Sequence, residues 1–410
     1  MFTFLPLQAT HTTNLAVIGG GPAGLRAAEV AAMSGLNVVV FDGKPSVGRK
    51  FLIAGKGGLN LTHGEPFERF VSRYSGPAQP PDFWRSALAD FSPEALRKWA
   101  AELGIETFQA SSGRVYPREL KAAPLLRRWV QRLRGLGVRF EMNHRWTELT
   151  GSTPYQLGFA NGSRYFADAV VLALGGGSWP QTGSDGAWMS LLASHGIALQ
   201  PLAPANCGWE HDWPASVLDQ AEGKPLKNIE VRAADQVAIG ELLITRYGLE
   251  GGALYQLGPT LRAMQNPAIF IDFKPTHSHA QLVTKMESAR RNFLDEARVR
   301  WRLGEAAYAI LARQPWHDVE SLAREVKQCR IGFSGPRPLA EAISSAGGVV
   351  WPELNRDLML TKLPGVFVAG EMIDWEAPTG GYLIQGCFAT ATRAAHGASA
   401  WLQKLRTTGD

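Results

Sequence analysis

The sequence is poor in cysteine and in charge, and it has no long hydrophobic run. Its three cysteines, Cys207, Cys329 and Cys387, lie far apart and form no C-x-x-C pair, which argues against a disulfide framework and against a redox dithiol. No apolar run approaches the roughly 20 residues that a bilayer-spanning helix needs. The opening segment, Met1 to Asn14, lacks the basic start and apolar core of a signal peptide. We therefore expect a cytoplasmic protein that neither enters a membrane nor binds a metal.

The composition is that of an ordered globular protein. Hydrophobic residues make up 45% of the 410 residues and charged residues 19%, a chain long enough for two or three domains. The net charge of +5 is a small excess at this length and does not by itself indicate nucleic acid. One locally basic stretch is interpreted chiefly as a solvated helix face, with a nucleic-acid surface as the alternative. Its members are Arg114, Arg118, Lys121, Arg127, Arg128, Arg132, Arg134 and Arg139.

The first forty residues predict a βαβ unit around a glycine-rich turn. The patterns favour a strand over Leu15 to Ile18, a helix from about Pro22 to Ser34, and a second strand over Asn37 to Phe41. The turn Gly19-Gly20-Gly21-Pro22-Ala23-Gly24 satisfies G-x-G-x-x-G, and Asp42 follows Gly24 by 18 residues. Strand, turn, helix and acid in this order are the context of a dinucleotide fingerprint.

Each residue of the fingerprint has an expected role. Gly19 permits the tight turn, and Gly21 lets backbone N–H groups approach a pyrophosphate. Gly24 allows the helix to pack closely on the strand, and the helix N-terminus faces the phosphate charge. Asp42 is expected to accept hydrogen bonds from the ribose hydroxyls. The unit therefore predicts a bound FAD or NAD.

Three further segments favour FAD. Gly48-Arg49-Lys50-Phe51 is a second glycine-basic stretch that suits a pyrophosphate, and Ala173-Leu174-Gly175-Gly176 resembles the A-T-G-like turn of two-dinucleotide-fold flavoproteins. Gly365 to Glu371 resembles the flavoprotein G-D motif, with Glu371 in place of the usual Asp. The glycines at 175 to 177 lead into Ser178-Trp179-Pro180 without a third fingerprint glycine, so no separate NAD domain is expected.

With these motifs the chain resembles the bacterial family of NAD(P)/FAD-dependent oxidoreductases that includes the BaiN-like flavoproteins, the bile-acid dehydro-reductases. The resemblance implies an α/β fold, with a discontinuous Rossmann-like FAD-binding domain and an inserted β-rich domain that carries a helical portion. The family commonly has G-R-C-N where this chain has Gly57-Gly58-Leu59-Asn60, which indicates a divergent subgroup. The segments that carry the resemblance are residues 16–25, 48–63, 113–117, 173–186 and 365–386.

The chain pattern agrees with that organisation. Residues 1–199 and 346–410 are expected to form the FAD-binding domain, and residues 200–345 the insertion. Within the insertion, residues 201–265 alternate short apolar runs with Gly, Pro and Asn, which favours strands and turns. Residues 278–330 have helical periodicity.

The expected site combines both ends of the chain. A helix that begins near Gly380 would direct its N-terminus at the flavin N1–C2=O edge. The candidates for proton transfer are Lys56, Asn60, Arg114 and Tyr116, and beside them Thr62, His63 and Lys121; His63 is interpreted as a loop histidine. The residues expected to bind the cofactor are Gly19, Gly21, Pro22, Ala23, Gly24, Asp42, Gly43, Lys44, Arg49, Lys50, Asn60, Ala173, Gly175, Gly176, Gly370, Glu371, Gly380, Gly381, Tyr382 and Leu383.

The leading functional hypothesis is an FAD-dependent oxidoreductase, a reductase or dehydrogenase of a small organic molecule, with hydride transfer through flavin N5. NAD(P)H is the expected donor and would bind transiently. Two alternatives stay open: an RNA-modifying flavoenzyme, which requires a continuous basic patch over residues 114–139, and a non-catalytic flavin-binding redox sensor.

Overall fold

The computed structural model describes residues 12–55 and 57–408. The chain forms two compact units. The first combines the chain up to Ala203 with the chain from Ser344 onward, and the second runs from Pro204 to Ile343. The expected boundaries, at residues 199/200 and 345/346, lie within a few residues of these. Each unit has its own hydrophobic core.

A mostly parallel sheet forms the centre of the first unit. Its strand order is β6-β2-β1-β9-β8-β7, and β19 pairs with the carboxyl half of β9. Strands β1, β2, β6, β9 and β19 run parallel, whereas β8 and β7 are antiparallel to their neighbours. The strands of this unit are β1 (Thr12–Ile18), β2 (Val38–Asp42), β3 (Thr62–His63), β4 (Thr107–Gln109), β5 (Arg114–Pro117), β6 (Arg139–Met142), β7 (Trp146–Thr150), β8 (Tyr155–Phe159), β9 (Arg164–Leu172), β10 (Leu199–Ala205), β18 (Ser344–Val349) and β19 (Val366–Val368).

Helix α1 of the first unit begins at Pro22, as the sequence signals predict. Pro22 occupies the first turn of α1, and Gly35, with φ of +80°, follows its end. The Ser92 side chain accepts a hydrogen bond from the Ala95 N–H and caps α5. The helices are α1 (Pro22–Met33), α2 (Arg49–Ala54), α3 (Phe67–Val71), α4 (Phe83–Asp90), α5 (Pro93–Glu102), α6 (Ala122–Gly135), α7 (Trp188–Ser194) and, after the second unit, α15 (Tyr382–Thr408). The mixed α/β, Rossmann-type fold class is thereby confirmed.

The second unit is an antiparallel sheet with helices. Its strand order is β16-β15-β12-β13-β14-β11-β17. The strands are β11 (Trp209–Glu210), β12 (Pro225–Ala233), β13 (Gln236–Thr245), β14 (Gly248–Glu250), β15 (Ala268–Asp272), β16 (Cys329–Gly332) and β17 (Gly335–Pro336). The helices are α8 (Ala215–Ala221), α9 (Gly252–Gln256), α10 (Gly258–Ala263), α11 (His279–Thr284), α12 (Phe293–Arg300), α13 (Glu305–Leu311) and α14 (Val319–Lys327).

The expectation of strands and turns alone over residues 201–265 is wrong in part, because α8, α9 and α10 lie there. These helices span only five to seven residues each, which is too short for a helical period to stand out from the glycines and prolines around it. In the described residues of both units, no helix combines the length and the hydropathy that crossing a bilayer requires.

Candidate functional site

The glycine-rich turn forms one wall of an open cleft in the first unit. At Gly19, φ is +108°, and a Cβ atom there would lie 2.3 Å from the carbonyl oxygen of Ala173. At Gly24, a Cβ atom would lie 1.8 Å from the carbonyl oxygen of Gly19. Apart from the residues next to it in the chain, no atom of the described residues lies within 4 Å of the corresponding position at Gly21. Gly19 and Gly24 therefore allow close packing, and Gly21 leaves the cleft open.

Helix α1 begins at this turn and points its N-terminus at the cleft. Gly21 is the N-cap residue and carries no capping side chain, and Pro22 occupies the first turn. The first N–H groups of a helix have no partner within it, and together with the helix dipole they form an anion site. A pyrophosphate therefore fits this wall: Gly21 leaves it space, and the start of α1 supplies donors and partial positive charge.

Asp42 ends β2 and lines the same cleft. Its carboxylate is fixed by the backbone, because Oδ2 accepts the Gly20 N–H at 2.8 Å and Oδ1 accepts the Lys44 N–H at 2.8 Å. Burial raises the pKa of this carboxyl, although the two N–H groups and the charge of Arg49 act in the opposite direction. Each oxygen keeps a free lone pair, as a contact with ribose hydroxyls requires.

The opposite wall comes from two segments whose residues the sequence analysis did not single out. His144 to Trp146 follow β6, and Thr182 to Trp188 include the start of α7. The two segments are joined by an ion pair between Arg145 and Asp185 at 2.9 Å. One available signal is that Thr182 to Asp185 lie in a segment that carried the family resemblance. His144 has no comparable signal in the sequence. The strand before it, β6, reads Arg-Phe-Glu-Met, and none of these residues is fully buried, so the strand has no apolar pattern that stands out.

Lys50 and Glu371 meet at the cleft although 321 residues separate them in the chain. Lys50 Nζ lies 2.9 Å from Glu371 Oε2 and donates to the Ser178 hydroxyl at 2.7 Å. Both side chains are mostly buried. Cys387 also lines the cleft, and burial raises the pKa of its thiol to about 12. That thiol stays protonated at neutral pH and is therefore a poor nucleophile.

The predicted cofactor residues separate into two groups. Gly24 and Gly370 serve packing, the latter against Ala23, and Gly176 packs against Ser345. Residues lining the cleft are Gly19, Gly21, Pro22, Ala23, Asp42, Gly43, Lys44, Arg49, Lys50, Ala173, Gly175 and Glu371. Those outside its lining are Gly24, Asn60, Gly176, Gly370, Gly380, Gly381, Tyr382 and Leu383.

The start of α15 is fixed by a buried polar network. Tyr74 donates its hydroxyl to the Tyr382 carbonyl at 2.8 Å, and Tyr382 donates its own hydroxyl to Glu65. Arg73 forms two hydrogen bonds of 3.0 Å with the same carboxylate. Burial alone would raise the pKa of Glu65, but the hydrogen bonds from Arg73 and Tyr382 outweigh it and hold that pKa below its usual value. Burial and then Glu65 raise the pKa of Tyr382, so the phenol keeps its proton.

Two buried polar atoms beside this helix start lack partners in the described structure. They are Asn60 Oδ1 and Thr62 Oγ1. A Cβ atom at Gly381 would lie 2.5 Å from the Thr62 Cα, so this segment touches the residues just before α15. Buried polar atoms are normally hydrogen-bonded, and a flavin ring edge offers both a donor and acceptors. The residues at the start of α15 therefore fit a bound flavin.

Arg114 and Tyr116 lie on one face of β5, which pairs with β3 beside the same helix start. The Arg114 Nε lies 4.0 Å from the Cβ position of Gly380. Tyr116 stacks on Phe108 with 5.8 Å between ring centroids. The structure therefore brings two of the proton-transfer candidates to one face, next to Asn60 and Thr62. Lys56 lies outside the described residues.

His63 is engaged by the backbone. Its Nδ1 accepts the Glu65 N–H at 3.2 Å, so the proton sits on Nε2, which donates to the Ser112 carbonyl at 3.0 Å. Burial lowers the pKa of this imidazole. His63 is therefore a neutral histidine that orders its loop.

The basic stretch over residues 114–139 does not form one free patch. Arg118 pairs with Glu106 at 2.9 Å, and Arg132 pairs with Glu29 at 3.0 Å. Arg128 donates to the Leu103 carbonyl at 3.1 Å. These three of the eight basic side chains are engaged within the fold, and the RNA-modifying alternative stays open.

A family model described as "HI0933-like protein Rossmann domain" matches residues 13–397 of the chain. A 3-dehydro-bile acid delta(4,6)-reductase from Clostridium scindens is 29% identical, over 94% of this chain and 99% of the relative. A ribosomal RNA dihydrouridine synthase from Escherichia coli is 23% identical, over 92% of this chain and 95% of the relative. Both alignments therefore span almost the whole of each protein.

Among solved structures, a 3-ketosteroid-delta4-(5alpha)-dehydrogenase from Rhodococcus jostii RHA1 is similar, with a TM-score of 0.54 and 15% identity. The likeness covers 96% of this chain and 98% of that one. At this identity the likeness establishes a shared fold.

Proposed function

Because this chain belongs to the family of HI0933-like proteins with a Rossmann domain, we propose that it is a reductase that adds hydrogen across a carbon–carbon double bond of a small organic molecule. The chain is an oxidoreductase flavoprotein, and its cofactor is FAD. The observation that carries the proposal is the cleft of the first unit. Gly21 and Asp42 of the fingerprint line it together with Glu371, which lies near the end of the chain.

In this proposal both ends of the first unit hold FAD. Gly21 and the start of α1 bind the pyrophosphate, and Asp42 binds the adenosine ribose. Glu371, held by Lys50, accepts a hydrogen bond from the ribityl chain. Asn60 and Thr62, whose buried oxygens lack partners in the described structure, contact the ring edge near the start of α15.

The substrate class follows from the reaction that the relatives' names share. One is a 3-dehydro-bile acid delta(4,6)-reductase and the other a ribosomal RNA dihydrouridine synthase. Both names denote added hydrogen, and the first names a small molecule as the substrate. Reduced FAD supplies a hydride when bound. A carbon–carbon double bond accepts hydride only when an adjoining group takes up the electrons, so we propose an alkene conjugated to a carbonyl group as the substrate.

Two residues of β5 suit the remaining steps. Arg114 is exposed and beside Gly380, and its guanidinium stabilises the negative charge that develops on the substrate carbonyl. Tyr116, on the same face, delivers the proton to carbon through its hydroxyl. NAD(P)H is the proposed electron donor, and it binds transiently because the chain has no second fingerprint.

The test separates the two halves of the reaction. The purified protein is titrated anaerobically with NADH and with NADPH while the flavin absorbance is followed, and we expect bleaching with one of them. The reduced protein is then mixed with α,β-unsaturated ketones and, as controls, with their saturated counterparts. Reoxidation of the flavin by the unsaturated ketones, but not by their saturated counterparts, supports the proposal. If oxygen reoxidises the flavin but no unsaturated ketone does, the proposal is wrong.

The role of Tyr116 has its own test within this assay. Tyr116→Phe removes only the hydroxyl, so reduction by the nicotinamide should keep its rate while reoxidation by substrate falls by roughly 10²-fold. If Tyr116→Phe keeps the wild-type rate in both half-reactions, Tyr116 is not the proton donor, and the reductase proposal still stands.

A further inference from the structure

Four basic side chains of the second unit form a group that we call the cation cluster: Lys274, His277, Lys285 and Arg302. Lys274 and His277 lie in the turn between β15 and α11, Lys285 follows the last residue of α11, and Arg302 follows α12. The cluster is thus assembled from three separate turns rather than from one helix face, and a solvated helix face does not account for it.

Hydrogen bonds hold the cluster together. Lys285 Nζ lies 2.7 Å from His277 Nε2, and Lys274 Nζ donates to the Arg302 carbonyl at 2.7 Å. Because an ammonium group can only donate, His277 Nε2 is the acceptor and the imidazole is neutral. Its Nδ1 then carries the proton and donates to the Thr276 hydroxyl at 3.1 Å.

The positive charges of the cluster act on each other. Burial lowers the pKa of Lys274, and the charges of Lys285 and Arg302 lower it further. The same effect reaches His277, whose pKa is lowered first by burial and then by Lys285 and Lys274. Folding therefore brings like charges together at a cost in electrostatic energy.

No carboxylate in the described part of the chain forms an ion pair with Lys274, Lys285 or Arg302. Among the acids on neighbouring elements, Asp272 pairs with Lys327 at 2.5 Å, Glu296 pairs with Arg300 at 2.8 Å, and Asp295 accepts a hydrogen bond from the Tyr308 hydroxyl at 2.7 Å. Glu287, two residues after Lys285, is exposed and forms no ion pair with the cluster in the described part of the chain. Lys327 also donates to the carbonyls of Lys274 and His277, so its role is to brace the turn.

Unused donors remain on each cation. Lys274 and Lys285 each use one of three N–H bonds, and no hydrogen bond or ion pair engages the exposed Arg302 guanidinium in the described structure. We propose that the cation cluster binds a terminal phosphate group of the kind that a nucleotide carries. The three positive charges of Lys274, Lys285 and Arg302 match a terminal phosphate, which has about −1.5 to −2 charge and three acceptor oxygens, whereas a carboxylate or a phosphodiester offers one charge and two oxygens. The proposal does not depend on the flavin reaction.

The first experiment is isothermal titration of the full-length, FAD-loaded protein with inorganic phosphate at low ionic strength. Lys285→Gln and Arg302→Gln each remove one cation from an exposed position, so both variants should fold and bind phosphate at least about tenfold more weakly. Arg291→Gln is the matched control, since it removes the same charge from an exposed residue outside the cluster, and its affinity should equal that of the wild type.

Two results would overturn the site: no binding by the wild type at about 10 mM phosphate, well above a millimolar Kd, or equal weakening in Arg291→Gln. The carrier is then identified with two further ligands. If adenosine 2′,5′-bisphosphate binds more tightly than phosphate, and if Lys285→Gln abolishes this gain in affinity, the carrier of the phosphate is a nucleotide. A short RNA without a terminal phosphate whose binding has a salt slope about one unit smaller in Lys285→Gln would assign the cluster to a nucleic-acid backbone and contradict the nucleotide proposal. Binding of phosphate alone supports a site for the free ion.

Discussion

Gly21 and Gly24 lie three residues apart in one turn, yet the space around them differs. A Cβ atom at Gly24 would collide with the backbone of Gly19, whereas one at Gly21 would enter the open cleft. We expect Gly24→Ala to lower the stability of the apoprotein itself, because a backbone clash at 1.8 Å forces α1 away from β1. We expect Gly21→Ala to fold normally and to lose FAD affinity, because the methyl group occupies the pyrophosphate position.

Thermal unfolding of the apoproteins and FAD titration measure these two effects separately. Gly135→Ala is the control, because Gly135 lies in α6 and no described atom outside its own helix and chain neighbours lies within 4 Å of its Cβ position. It should leave FAD affinity unchanged and stability unchanged or higher by up to about 1 kcal/mol. Full FAD affinity in Gly21→Ala would contradict the placement of the pyrophosphate at this turn.

At the scale of elements, one buried carboxylate joins three helices of the first unit. Glu29 of α1 is fully buried and accepts hydrogen bonds from Trp99 of α5, at 2.9 Å, and from Trp129 of α6, at 3.1 Å. It also pairs with Arg26 at 3.1 Å and with Arg132 at 3.0 Å. All its acceptor capacity is therefore used, and α5 and α6 are held against the helix that carries the fingerprint.

Glu29→Gln should destabilise the first unit by about 3 kcal/mol, because it leaves two arginines without their counter-charge and turns an acceptor into a donor. The corresponding fall in Tm is roughly 6 to 12 °C, measured by circular dichroism. Glu102→Gln is the control: its carboxylate pairs with Arg132 at 3.4 Å but is 47% exposed, so the loss should stay below about 1 kcal/mol. Similar losses in the two variants would show that burial of Glu29 contributes little.

At the scale of the whole molecule, the two units have separate hydrophobic cores, and every residue that lines the cleft belongs to the first unit. Within the second unit the ends of the chain lie together, since the Ile343 N–H donates to the Asn206 carbonyl at 3.1 Å. A short linker can therefore replace residues 204–343 without stretching the chain.

We expect the shortened protein to bind one FAD and residues 204–343 alone to unfold cooperatively, because each keeps its own core. Flavin absorbance per protein and circular dichroism melts of both pieces measure this. If the shortened protein folds but takes up no FAD, the second unit contributes to the cofactor site. If residues 204–343 melt without a transition, the insertion depends on the first unit for its fold.

The sequence predicted the fingerprint turn and, through motifs that resemble those of the family, the distant residues Lys50, Ala173, Gly175 and Glu371, all of which line the cleft. The βαβ unit and its turn depend on contacts within about 30 residues, and their strands, helix caps and glycine positions agree with the patterns. The helices over residues 279–327 were likewise visible from their period, whereas the short α8, α9 and α10 were not.

The sequence by itself determined the FAD fingerprint, the α/β class and the family resemblance, because each depends on local pattern. Only the tertiary structure decided that the segments around His144 and Trp188 also line the cleft and how the distant segments pair. The parallel pairing of β6 with β2 brings His144 beside Asp42, and the pairing of β19 with β9 brings Glu371 to Lys50. The cation cluster arises in the same way, from three turns that no spacing relates. Such contacts are fixed by sheet order and by packing between remote segments, and a local pattern carries no information about either.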